Sequence, residues 1–328
     1  MRRLPSYARL TLVALLVAAA FGSTAAALRL PRPVVVAAAP RAHVTDVPWF
    51  DMRVVNDALS FWAPAVMPTG VPPIKARAGI LVDLDTGEIL WEKQPNLSVA
   101  PASLTKVLTS LVALENFDPS EQVAITPDAL GQSRADSLMG LKAGETMTIG
   151  ELLDGMLLPS GDDAASAMAA DTVGPARFVA AMNAQVAALG LHHSHFTATA
   201  GLDDPGLYAS AYDLAVIAAY TYEQFPLFDQ IVSLQKLTLP ASADHPAFHM
   251  HNGNALLEDY PAAVGIKPGW TGNAGACLIG MAVRGGHRLL AVLLSANYPA
   301  RLEGLLFDWG YQLQGMPPLL VAKPSAAG

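Results

Sequence analysis

Segments with strand periodicity stand at both ends of the apolar part of this chain, and segments with helix periodicity fill the middle. Residues 78–83 read as a strand, Asp85-Thr86-Gly87 has the chemistry of a tight turn, and residues 88–92 return as a second strand. Far downstream, residues 263–267, 276–283 and 288–294 are apolar runs of strand length, and Arg284-Gly285-Gly286-His287 joins the last two. Between these groups lie helical patterns over 149–157, 162–172, 175–189 and 211–222, with a short strand at 122–125. A further helix is expected over 300–313. Strand groups so far apart in sequence bury a shared face by pairing in one sheet. The expected fold is therefore α+β: an N-terminal hairpin joined to a C-terminal meander, flanked by helices, with a helical subdomain inserted in the middle. No internal repeat is visible.

Composition narrows the setting. With 328 residues, 52% of them hydrophobic, the chain can bury a large core. A net charge of −8 argues against nucleic acid or an anionic membrane surface as partner, because both need a basic face. Arg2 and Arg3 precede an apolar run of 12 residues from Leu10 to Phe21, followed by Ser23-Thr24-Ala25-Ala26-Ala27. This is the pattern of a secretory signal, with cleavage expected after Ala27; a retained short anchor is the second choice. Residues 28–74 carry prolines at 31, 33, 40, 48, 64, 68, 72 and 73 and form the expected tether. Within it, Trp49 to Met67 is aromatic-rich and spaced for a short helix. The domain is expected over 75–315, with a flexible tail at 316–328. The lone cysteine, Cys277, allows no internal disulfide and sits in an apolar strand as inert core.

The chemistry concentrates at Pro101-Ala102-Ser103-Leu104-Thr105-Lys106. Leu104, Val107, Leu108, Leu111 and Val112 recur at the spacing of one buried helix face. Ser103 and Lys106, three apart at the helix start, lie on one side, where the amine can reach the hydroxyl. A serine becomes a nucleophile when a nearby base takes its proton, and a lysine is that base when its surroundings keep it neutral. Ser-x-x-Lys is a common pattern, and Ser233-Leu234-Gln235-Lys236 is a second copy without supporting motifs. Asp85-Thr86-Gly87 spells an aspartic-protease signature, but no second such triplet supplies the partner carboxylate, so it is a turn.

Two more elements follow in order: Ser160-Gly161-Asp162 at a break between helices, and Lys267-Pro268-Gly269 at a strand end. Ser-x-x-Lys, Ser-x-Asn and Lys-Thr-Gly, in that order, mark penicillin-binding proteins and serine β-lactamases. The stretches 78–92, 102–115, 158–165, 196–203 and 265–271 resemble the serine D-Ala-D-Ala carboxypeptidases, a resemblance covering roughly Lys75 to Leu313. It implies the transpeptidase-like fold with a five-stranded antiparallel sheet, and exported action on peptidoglycan. The N-terminal segment, rather than an added C-terminal domain, is the expected tether, and the membrane would be met only through that segment if it is uncleaved. By the same resemblance, Ser103 is the nucleophile, Lys106 its base and Ser160 a proton relay to the leaving amine. Lys267, Asp162, Gly269, Trp270 and Thr271 bind substrate, with an oxyanion held by the backbone N–H groups of Ser103 and Trp270. The implied partners are the peptidoglycan stem peptide and β-lactams as acylating inhibitors. No cofactor and no metal are expected.

Three positions depart from the family pattern. Asp162 replaces the usual Asn, and as a carboxylate it only accepts hydrogen bonds and favours a charged Lys106. Pro268 replaces Thr and removes a hydroxyl and a backbone donor, which suits only an edge position or one facing a ligand cleft. Tyr212 replaces an Arg. These departures keep open a weak or inactive cell-wall-binding homologue, and the shared scaffold keeps open a β-lactamase or esterase. No Glu-x-x-Leu-Asn supplies the deacylating glutamate of class A β-lactamases. The histidines at 192, 193 and 195, and at 245, 249 and 251, have spacings that can ligate zinc. Exposed loop and strand positions are the simpler account of both groups.

Overall fold

A computed structural model of the chain describes residues 61–64, 66–131 and 137–320. The expected signal at 1–27, the tether through residue 60 and the end of the tail lie outside the described residues. So does most of the aromatic stretch from Trp49.

Five strands form the central antiparallel sheet: β1 (Ala78–Asp83), β2 (Ile89–Lys93), β7 (Ala263–Thr271), β8 (Gly275–Arg284) and β9 (His287–Leu294). Their order is β2-β1-β9-β8-β7, so the early hairpin pairs with the late meander through β1 and β9. Four further strands form two small two-stranded antiparallel sheets outside it: β3 (Gln122–Ala124) with β4 (Thr146–Thr148), and β5 (Lys236–Leu239) with β6 (Phe248–His251). Of these, β3 falls on the strand expected at 122–125 and β6 on the strand positions of His249 and His251, while β4 and β5 are additional to the sequence expectation. Helices α1 (Thr105–Asn116), α2 (Pro127–Gly131), α3 (Ile149–Leu157), α4 (Asp162–Ala170), α5 (Pro175–Ala188), α6 (Ala211–Gln224) and α7 (Pro226–Ser233) lie between β2 and β5 in sequence. Two more, α8 (Leu256–Asp259) and α9 (Pro299–Leu313), complete the chain.

Alternation along the strands divides the core. Ala78, Ile80 and Val82 of β1 join a large cluster with α1, α3, α4 and α6, while Leu81 joins a smaller one with Leu256, Phe307 and Trp309 on the opposite face. Helix α1 is buried from Thr105 to Ala113, with an apolar face and a polar one that both lie inside the protein. Its Val107, Leu108 and Leu111, with Leu104 just before it, are fully buried, each contributing about 1.5–3 kcal/mol. The polar side chains on its remaining face bond inward: Thr109 Oγ1 donates to Thr199 O at 2.8 Å and Ser110 Oγ to Lys106 O at 2.8 Å.

The packed unit extends beyond 75–315 on both sides. Trp62 N–H donates to Gly87 O and Trp62 O accepts from Ile89 N–H, which adds a short parallel bridge to the β2 edge. Phe61 packs edge-on against Tyr212, and Trp309 Nε1 donates to Thr69 O. At the other end, the backbone N–H groups of Leu319 and Leu320 donate to the Asp308 carboxylate at 2.7 and 2.8 Å. No helix among the described residues is long and apolar enough to cross a membrane.

Candidate active site

Ser103 sits in a single 3-10 turn, Ala102–Leu104, immediately before α1. Ala102 adopts a left-handed φ of 52°, a strained conformation that swings the chain so that Ser103 faces outward at the base of a central helix. One turn on, Lys106 is completely buried, and its Nζ donates to Ser103 Oγ at 3.0 Å. The same amine donates to Ala200 O at 2.7 Å and to Asp162 Oδ1 at 2.5 Å. Burial holds the Lys106 amine below the usual lysine range, against the attraction of Asp162 and Asp163. The Asp162 carboxyl is pushed up by its own desolvation, against the pull of Lys106 and Lys267. Both shifts have one cause: charge is costly where water is excluded.

Helix α4 delivers Asp162 and the preceding Ser160. Ser160 has a left-handed φ of 64°, and Gly161 N–H donates to Gly155 O at 2.9 Å, which closes the turn between α3 and α4. A Cβ on Gly161 would meet the Gly155 carbonyl at 2.7 Å, so the break requires glycine. Asp163, which no motif singled out, fixes the opposite wall. Its carboxylate accepts from the backbone N–H groups of Met139, Gly140 and Leu141 at 2.8, 2.8 and 3.0 Å. Asp162 N–H donates to Ser137 O at 2.9 Å. The Ser137–Leu141 segment is thereby tied to the start of α4.

Strand β7 supplies the third side. It is the sheet's edge, paired only with β8, with Pro268 opposite Leu278 and Trp270 opposite Ala276. Proline has no N–H to give to β8, so position 268 faces the open edge, and by alternation so does the Trp270 N–H. The strand's other periodicity puts Lys267 and Gly269 on the Ser103 side. Lys267 is fully buried, its Nζ donates to Pro268 O at 3.2 Å, and desolvation, with Lys106 nearby, holds it well below the usual lysine range. A Cβ on Gly269 would lie 2.9 Å from Ser103 N, so only glycine lets the strand approach the nucleophile this closely. Thr271 Oγ1 accepts from Ala274 N–H at 3.1 Å.

These surfaces enclose a cleft of about 480 Å³. Ser103, Ser160, Asp162, Gly269, Trp270 and Thr271 line it, while Lys106 and Lys267 lie buried behind them. All eight residues expected from the sequence thus come together. Tyr212 does not line the cleft; it packs against Phe61. The sequence reading missed Asp163, the Ser137–Leu141 wall and the Ala200 carbonyl, since each acts through backbone hydrogen bonds that leave no residue pattern. The two histidine groups are divided among separate contacts. His195 bonds Gly206 O, His245 pairs with Glu151, and His249 meets Thr238. Lys236 of the second Ser-x-x-Lys is exposed at the start of β5. Cys277 is buried in β8, its thiol pushed up to about 11 by desolvation.

Residues 65–298 match the profile of the D-alanyl-D-alanine carboxypeptidases of peptidase family S11. D-alanyl-D-alanine carboxypeptidase DacB2 of Mycobacterium tuberculosis is 37% identical over 267 residues, covering 77% of this chain and 89% of that protein. DacF of Bacillus subtilis is 36% identical over 69% of this chain, which spans 58% of that longer relative. The crystal structure of the Streptomyces K15 DD-transpeptidase superposes with a TM-score of 0.69 at 28% identity, covering 74% of this chain and 100% of that one. Strand order, the three motifs around one cleft and these similarities converge: the chain belongs to the D-alanyl-D-alanine carboxypeptidase family, peptidase family S11.

Proposed function

We propose that this protein is a serine D-alanyl-D-alanine carboxypeptidase that removes the terminal D-alanine from peptidoglycan stem peptides through an acyl-enzyme on Ser103. The observation that carries the reading is the 3.0 Å contact between Ser103 Oγ and the buried amine of Lys106. In its neutral form that amine takes the serine proton as Oγ attacks the penultimate D-alanine carbonyl. The oxyanion rests between the N–H groups of Ser103 and Trp270. Ser160 passes a proton to the departing D-alanine amine as the peptide bond breaks. Water then hydrolyses the ester and returns the proton. Lys267 supplies positive field, and Thr271 donates to the substrate carboxylate.

The location follows from the substrate: peptidoglycan lies outside the cytoplasmic membrane. Residues 1–27 act as the signal or a short anchor and the stretch after it as a tether, leading into a catalytic domain that contains 75–315 and the flanking residues packed on it. β-Lactams acylate Ser103 as substrate mimics. One observation favours a slower enzyme: Asp162 lies 2.5 Å from the lysine that must be neutral to act as base.

The test is an intact-mass spectrum after incubation with benzylpenicillin, on wild type and Ser103→Ala. A lasting adduct on wild type alone is expected. An adduct that forms and clears within minutes moves the reading to β-lactamase. No adduct at any time overturns the enzyme reading in favour of a wall-binding homologue.

A further inference from the structure

A second cavity adjoins the cleft, and the proposed reaction leaves it unused. Pro268 stands on the border between the two and lines both. The second is a groove of about 400 Å³, lined also by Asn254, Asp259, Tyr298 and Arg301. Asn254 is 2% exposed and firmly oriented. Leu256 N–H donates to its Oδ1 at 3.0 Å, and its own N–H donates to Asn252 Oδ1 at 3.0 Å. Asn252 Nδ2 in turn is held by the carbonyls of Val232 and Leu234. With Oδ1 committed to the helix start, Asn254 Nδ2 is a buried donor without a partner among the described residues. A buried amide N–H without an acceptor is costly, so one that is retained in a groove wall points to an acceptor arriving from outside.

The rest of the groove indicates the chemistry of that acceptor. Asp259 and Arg301 offset each other's charge, so the groove favours a neutral ligand over an anion. Tyr298 is 83% exposed at its lip. An exposed aromatic face, an amide donor, a carboxylate acceptor and a guanidinium around a small apolar floor are suited to a sugar ring, whose C–H face is apolar and whose edge is polar. We propose that this groove is a subsite for an N-acetylated pyranose of the glycan strand that carries the stem peptide. The identity of that strand rests on the cell-wall reading above. Asn254 Nδ2 donates to the acetamido carbonyl, Asp259 accepts from a hydroxyl or the acetamido N–H, and the Tyr298 ring covers one face of the sugar. Groove and cleft share Gly253, Pro268 and Gly269, so occupancy of one is continuous with the other.

The experiment is a methyl NMR titration of the full chain, 13C-labelled at alanine, with di-N-acetylchitobiose as probe. Ala255, Ala276 and Ala300 line the groove and report its occupancy. Saturable shifts of these methyls at millimolar probe are expected, with affinity lowered about tenfold or more by Asn254→Asp and by Tyr298→Asn. Asn254→Asp keeps the acceptor for Leu256 N–H, removes the amide donor and puts a carboxyl in its place, which repels a carbonyl acceptor when ionised. Asn at 298 tolerates the left-handed φ of 58° while removing the ring. Cellobiose, which has the same linkage and no acetamido group, is expected to bind at least about tenfold more weakly. Absent shifts, shifts unchanged by both variants, or equal binding of cellobiose would each overturn the subsite. Ser103 acylation by benzylpenicillin is followed in the same samples. Acylation without sugar shifts overturns the subsite and leaves the catalytic reading standing; sugar shifts without acylation do the reverse.

Discussion

Lys106 Nζ lies 2.5 Å from Asp162 Oδ1, closer than the 3.0 Å that separates it from the hydroxyl it is proposed to activate. The carboxylate and the nucleophile therefore compete for one amine. Burial lowers the affinity of Lys106 for its proton, and Asp162 raises it.

That competition predicts a pH profile. The active form has neutral Lys106, so acylation by benzylpenicillin should rise with pH as the amine loses its proton. Asp162→Asn removes the anion that favours the charged amine, so the rising limb should move to lower pH. At pH 7 the acylation rate should increase by roughly tenfold. A rise that stays in place in the variant would show that the Asp162 charge does not control the base.

Gly269 tests how closely β7 must approach the nucleophile. A Cβ there meets Ser103 N at 2.9 Å and Ala102 Cβ at 3.1 Å, neither of which is the free end of a flexible side chain. Gly269→Ala should slow acylation by about 10²-fold, the effect of displacing an oxyanion donor by about an ångström. The stability cost should be about 1–3 kcal/mol by thermal unfolding. Unchanged acylation would remove Ser103 N–H and Trp270 N–H from the mechanism.

Asp163 should hold the cleft wall without touching substrate. Asp163→Ala leaves the N–H groups of Met139, Gly140 and Leu141 without their acceptor. A loss of about 2–4 kcal/mol is expected, since these hydrogen bonds go to a charged group. Hydrogen exchange should speed at residues 139–141 in particular. Asp163→Asn, which keeps one carbonyl oxygen, should recover part of the protection.

Glu303 is a stability liability at neutral pH. It is fully buried on α9, both carboxyl oxygens lack partners among the described residues, and desolvation pushes its carboxyl well above the usual range. The folded chain thus keeps a proton that the unfolded chain releases above about pH 4.5. Wild-type stability should accordingly fall as pH rises from that point toward the folded-state value. Glu303→Met removes the dependence and should stabilise the fold by at least about 1 kcal/mol at pH 7, with a smaller gain at pH 4. Equal gains at both pH values in thermal melts would contradict this account.

Much of this protein is written in local pattern. Apolar runs of strand length over 78–83 and 288–294 mark strands covered on both faces, and the pairing of an early hairpin with a late meander follows from where those segments fall along the chain. Ser103 and Lys106 are legible because three residues of helix bring them onto one side, which is a property of the sequence alone. Ser160 and Lys267 carry no such local relation to Ser103. They were identified through motif order, and folding puts Ser160 on the cleft and Lys267 behind it. What only the tertiary structure decided concerns backbone and burial. The amines of Lys106 and Lys267 are both fully buried, Asp163 anchors a wall that its neighbours in sequence do not reveal, and Asn254 in the groove wall keeps a donor without a partner among the described residues. The physical reason is common to all three. A side chain's identity fixes its donors, acceptors and charge, but whether water reaches them, and which carbonyl or N–H lies opposite, depends on segments dozens to hundreds of residues away.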